Sequence, residues 1–98
     1  MPLYVVPRTR AWLTEEELAA DLDCLPAVRD ALPLDARLIR SYVVREDDGA
    51  LSAYCVYEAS GPDVLIRLSE AMRLPADAVK PVAVTVVAGP DPEPVESV

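Results

Sequence analysis

At 98 residues and 52% hydrophobic, the chain can form one domain with a modest core, and a second copy would add to its stability. Seventeen acidic residues against nine basic ones give a formal charge of −8, which disfavours nucleic acid as a partner. There is no histidine, so serine–histidine and cysteine–histidine catalytic pairs and imidazole metal ligands are excluded. Acid–base chemistry would fall to Asp, Glu, Tyr, Cys or Lys80, the one lysine. No apolar run approaches the roughly 18 residues of a membrane span. The first residues lack the charged and long apolar regions of a signal peptide, so a cytoplasmic protein is expected. In that compartment Cys24 and Cys55 are expected to be free, buried thiols.

In chain order, Leu3 to Arg10 reads as a first strand. Pro7 cannot donate to a ladder, which suggests an edge position or a bulge. Ala11 to Leu13 reads as a loop holding the one tryptophan, Trp12. Thr14 and Glu17 have the spacing of a capping box, with Glu17 reaching back to the Thr14 amide. Leu18, Leu22 and Leu25 then recur at helical spacing, continued by Val28, Ala31 and Leu32. Pro26 is expected to kink this helix or begin a second one, and Pro33 to end it.

Residues 36–45 and 51–58 read as two strands joined at Asp48-Gly49, a strong hairpin signal. Alternation puts Leu38, Arg40, Tyr42 and Val44 on one face, and Arg37, Ile39, Ser41 and Val43 on the other. In the next strand Leu51, Ala53, Cys55 and Tyr57 alternate with Ser52, Tyr54, Val56 and Glu58. Both faces of the hairpin are largely apolar, which is unusual for a sheet with one wet side. The face away from the helices is therefore expected to be covered too. Ser60 to Asp63 opens a second helix with Pro62 in its first turn, and Val64, Leu65, Leu68 and Met72 form its buried stripe. Leu74 to Asp77 ends it, and Val82 to Val87 reads as a fourth strand. From Gly89, alternating prolines and acids build no core, so 1–88 is expected as the domain and 89–98 as a disordered acidic tail. The order β-α-β-β-α-β is that of ferredoxin-like domains: an α+β fold whose four-stranded antiparallel sheet carries both helices on one face.

Three segments, Ser41-Tyr42-Val43, Tyr54-Cys55-Val56-Tyr57-Glu58-Ala59 and Leu74-Pro75-Ala76-Asp77, resemble a family of small bacterial proteins catalogued as a domain of unknown function. Its best described relatives are nickel-binding, ferredoxin-like proteins that pair as dimers. The resemblance spans roughly residues 3 to 87. It implies a homodimeric α+β barrel in which two sheets face each other, and nickel as a cofactor. Without histidine, any metal here would use Asp, Glu, Cys or backbone groups.

The candidate ligand-binding residues are Tyr4, Trp12, Arg40, Tyr42, Tyr54, Cys55 and Tyr57. The tyrosines suit either a pocket lining or a dimer interface. Cys55, between two tyrosines, suits a nucleophile or soft metal ligand, or a small core residue. Arg40 suits a carboxylate ligand, or an ion pair with Glu58. Trp12 suits a lid, or a side chain packing its loop against the sheet. Glu15, Glu16 and Glu17 point in different directions on a helix and are better explained by capping than by a metal. Two functions compete: a dimeric module that binds a small molecule or metal, and a cofactor-free enzyme of the monooxygenase, isomerase or cyclase type. A third places the acidic tail on another protein.

Overall fold

The computed structural model describes residues 1–31 and 35–93. Strand β1 (Leu3–Trp12) leads into helix α1 (Glu15–Ala31). A hairpin follows, made of β2 (Ala36–Arg45) and β3 (Leu51–Ala59). Helix α2 (Pro62–Met72) and a two-residue strand β4 (Lys80–Pro81) complete the elements. The sheet order is β2-β3-β1-β4, antiparallel throughout, so the chain has the α+β ferredoxin-like architecture.

Alternation explains the core. Tyr4, Val6 and Arg8 of β1 and Leu51, Ala53, Cys55, Tyr57 and Ala59 of β3 are buried on the helix side. Helix α2 supplies Val64, Leu65 and Leu68 to the same cluster. It begins with Pro62, which needs no helical partner for its missing N–H, and ends at Arg73 in the left-handed conformation. Helix α1 supplies only one fully buried residue, Leu18. Leu22, on the same predicted stripe, is 58% exposed.

Two bulges set which way side chains point. Leu38 lies opposite Tyr57 but Arg40 opposite Val56, so Ile39 is an extra residue in β2. The extra residue reverses the alternation. Leu38, Ser41 and Val43 therefore share the helix side, and Arg40 and Tyr42 lie on the other, which corrects the two-face assignment expected from simple alternation. In β1, Arg8 lies opposite Ala53 and Trp12 opposite Leu51, so Thr9, Arg10 and Ala11 face Ser52 alone. Arg10 turns the corner with φ +53° and hydrogen-bonds through its amide to Ser52 Oγ at 2.8 Å. This bulge keeps Trp12 in β1 and returns it to the core, where a loop was expected.

Other expectations are adjusted by particular contacts. Helix α1 runs unbroken through Pro26. Leu32 and the expected stop at Pro33 lie outside the described residues. Thr14 Oγ accepts from the Glu17 amide at 3.2 Å, but Glu17 reaches the Leu13 amide rather than that of Thr14. Pro7 sits in a central strand, yet β4 pairs only with Tyr4 and Val5, so no β4 residue lies opposite Pro7. Cys24 is exposed, whereas Cys55 is buried; both are free thiols.

The expected fourth strand at 82–87 is realised only as Lys80–Pro81, followed by a single further bond from the Val82 amide to the Leu3 carbonyl. Val84, Val86 and Val87 are all more than three-quarters exposed. The chain then returns to the opposite edge of the sheet, where Asp91 pairs with Arg40 and accepts from the Tyr42 hydroxyl at 2.9 Å.

Candidate functional site

A cavity of about 400 Å³ lies between α1 and the helix side of the sheet. Its floor is built of small residues, Ala36, Ser41 and Cys55, which leave volume where larger side chains would meet the helix. Leu18, Leu22 and Leu25 of α1 form one wall, and Leu68 and Met72 of α2 form another. The Ile39 bulge is what turns Ser41 and Val43 toward this space. Trp12 closes one side, and its indole N–H donates to Asp21 Oδ2 at 2.6 Å, tying the end of β1 to α1. A second tie, Arg45 Nη2 to Glu15 Oε1 at 2.5 Å, holds the start of α1 to the end of β2.

The polar groups gather around Arg8, which is 1% exposed. Its Nη1 donates to Ser69 Oγ and to the Pro75 carbonyl, each at 2.9 Å, and its Nη2 donates to the Tyr57 hydroxyl at 3.1 Å. Ser69 in turn donates to the Leu65 carbonyl at 2.8 Å, so these bonds join β1, β3 and α2. Among the described residues the Arg8 Nε–H has no hydrogen-bond partner. The guanidinium carbon also lies 5.9 Å from the centre of the Tyr57 ring. Next along the floor, Ser41 Oγ and Cys55 Sγ are 3.2 Å apart.

Burial pushes the Tyr57 phenol above its ordinary pKa of 10.0; Arg8 pulls it back and the Cys55 thiol adds to the rise. The phenol is therefore neutral at pH 7 and does not offset the charge of Arg8. The sign of the linkage follows. Above about pH 10 an unfolded tyrosine loses its proton before the buried one does, so the unfolded state is favoured and stability falls as pH rises. Tyr57→Phe is expected to lose stability less steeply than the parent between about pH 9 and pH 11 in denaturant melts. An equal slope would contradict the assignment.

The candidate residues divide between two places. Trp12, Cys55 and Tyr57 line the cavity. Tyr4 is buried in the core but is not part of the cavity lining. Tyr42 and Tyr54 lie opposite each other on the open face, both about half exposed, with Arg40 beside Tyr42. Arg40 pairs with Asp91, not Glu58; Glu58 is taken by Arg37 at 2.5 Å. Sequence reasoning missed Arg8 and Ser41. Arg8 was open to inference, because alternation from Tyr4 and Val6 places it inward.

Nickel would need several converging donors. Among the described residues no three His, Cys, Asp or Glu side chains come together as a metal site. Cys55, the one thiol at the cavity, has Ser41 and Tyr57 as polar neighbours. The described residues do not bring together the donors of a nickel centre within one chain.

No family model and no curated protein sequence matches the chain. A solved structure does: SCO4226 from Streptomyces coelicolor A3(2) superposes with a TM-score of 0.61 at 16% identity, over 86% of this chain and 99% of that one. At that identity, the likeness is one of fold.

Proposed function

We propose that this chain is a binding protein that holds a small, mainly apolar organic molecule in the cavity between α1 and the sheet. The observation that carries this reading is the cavity itself. Its volume of about 400 Å³ falls within the roughly 300–1,000 Å³ typical of small-molecule sites. Leucine, methionine and tryptophan walls with a few polar groups at one end suit an organic ligand better than a metal ion. A cofactor-free enzyme would use the same space. Binding is preferred because the groups on the floor that could act as acid, base or nucleophile are engaged, Tyr57 by Arg8 and Ser41 with Cys55, while Asp30, the carboxylate in the lining, is exposed on α1. The neutral phenol is also no general base at pH 7.

We also propose that the protein works as a homodimer paired through the open face of its sheet. Ile39, Tyr42, Val44 and Tyr54 are exposed there, more apolar surface than a wet sheet face normally carries. The segment from Val82 to Val87 adds exposed β-branched residues with no strand partner. A two-fold axis would set the same patch against itself.

Ser41→Phe tests the ligand reading by filling the cavity at an exposed floor position. A thermal-shift panel of medium-chain acids, aromatic acids, their alcohols and nickel chloride is the measurement. At least one organic compound is expected to stabilise the parent saturably. The Phe variant is expected to bind it about ten-fold or more weakly, ~1.4 kcal/mol. A response to nickel alone, or one unchanged in the variant, would contradict the reading.

A further inference from the structure

We infer that Arg8 is the anion-binding group of this cavity and that its ligand is a monocarboxylate with an apolar body. This inference rests on the ligand reading above and gives it a chemical class.

The warrant is a buried cation without a counter-ion. This chain has an excess of acids, and the ion pairs of Arg10, Arg37, Arg40 and Arg45 all lie at partly exposed positions. Arg8 is the arginine at 1% exposure, yet among the described residues no carboxylate lies within 4.0 Å of it. Its three partners, Ser69 Oγ, the Pro75 carbonyl and the Tyr57 hydroxyl, are all neutral. The nearby end of α2 offers the negative pole of a helix, about half a charge, which is partial compensation. A buried charge is ordinarily paired, because removing it from water is costly.

The unmet capacity is also specific. A guanidinium carries five N–H donors. Three bonds are made, so two donors remain, one on Nε and one on Nη2; the Nε–H is sealed from solvent, so a carboxylate would engage the fork by displacing the Tyr57 hydroxyl from Nη2. Two donors on one planar fork match the two oxygens of a carboxylate. A phosphate monoester would bring a second negative charge, and the cavity lining holds no carboxylate-free pair of cations beside Arg8: its other arginine, Arg29, is on α1 with Asp30 next in sequence. The leucine and methionine walls take the rest of the ligand. A carboxylate would then be bound next to a neutral Tyr57, and the carboxylate that also lines the cavity, Asp30, sits exposed on α1.

The experiment compares matched pairs on the intact protein by calorimetric titration: octanoate against octanol, and naphthoate against naphthamide. The acids are expected to bind about ten-fold or more tightly than their neutral counterparts, a factor worth ~1.4 kcal/mol. Arg8→Met, checked by circular dichroism for the parent's fold, is expected to bind acid and neutral compound alike. Arg8→Lys is expected to keep part of the preference. Should both variants unfold, Arg29→Met decides the matter: the acid preference is expected to survive removal of the other, exposed arginine of the lining, and its loss there would overturn the role of Arg8. Equal affinities within each pair would overturn the role of Arg8 while leaving the ligand reading intact. If neither acids nor neutral compounds bind, both fall.

Discussion

Replacing Leu65 with alanine is expected to lower the free energy of unfolding by about 2–5 kcal/mol. Leu65 is fully buried at the centre of the contact between α2 and the sheet, so its removal leaves a void that the surrounding strands cannot fill. Set against a typical total of about 5–15 kcal/mol, that is a large fraction of the fold's stability. Leu22→Ala is expected to change stability by no more than about 0.5 kcal/mol, because Leu22 is mostly solvent-exposed at the cavity wall. Paired chemical-denaturation curves give both values. The contrast separates the two helices: α2 is packed into the core, whereas α1 buries Leu18, half-buries Leu25 and Val28, and leaves Leu22 exposed at the cavity wall. Equal losses at the two positions would mean that α1 closes on the sheet and that no cavity exists in solution.

The second large effect concerns the open face. If that face joins two copies, Tyr42 and Tyr54 lie directly opposite each other on it, and aromatic anchors carry most of the energy of an interface. Tyr42→Glu together with Tyr54→Glu would place two charges there in each subunit. The double variant is expected to weaken association by about 4 kcal/mol, roughly a thousand-fold, taking about 2 kcal/mol per anchor. Sedimentation equilibrium should then find a dimer for the parent and a monomer for the variant, with the helical content unchanged. A parent that sediments as a monomer at all concentrations would remove the dimer from the account.

Much of the fold was legible from local chemistry. Asp48-Gly49 marked the hairpin because the turn needs φ > 0, and Gly49 sits at φ +91° with the Asp48 carboxylate accepting from the Ala50 amide. Pro62 and the apolar stripe marked α2. The parts that were not legible depend on tertiary structure. No residue type announces the extra Ile39, yet that bulge decides that Ser41 faces the cavity and Arg40 the open side. The leucines of α1 read as a core stripe, because spacing reports which residues share a face and not how closely that face approaches the sheet. The valines from Val82 to Val87 have strand propensity, and within one chain most of them find no strand to pair with.

Of the candidate site, the tyrosines, Trp12 and Cys55 were legible by type. Their division between a cavity and an open face was not, because it depends on both bulges. Arg8 was hidden by expectation rather than by pattern. An arginine in a strand is usually a solvated residue, and here alternation alone places it among Tyr4, Val6 and Tyr57 in the interior.

The central claim is that the space between α1 and the sheet holds an organic ligand, and Trp12 reports on it directly. It is the one tryptophan in the chain and it lines the cavity. Titrating the parent and Ser41→Phe with octanoate while recording tryptophan emission is the direct measurement. A saturable change in the parent, absent or shifted to at least about ten-fold higher concentration in the variant, is the predicted result. Emission that stays flat in the parent, or saturates identically in both proteins, would contradict the claim.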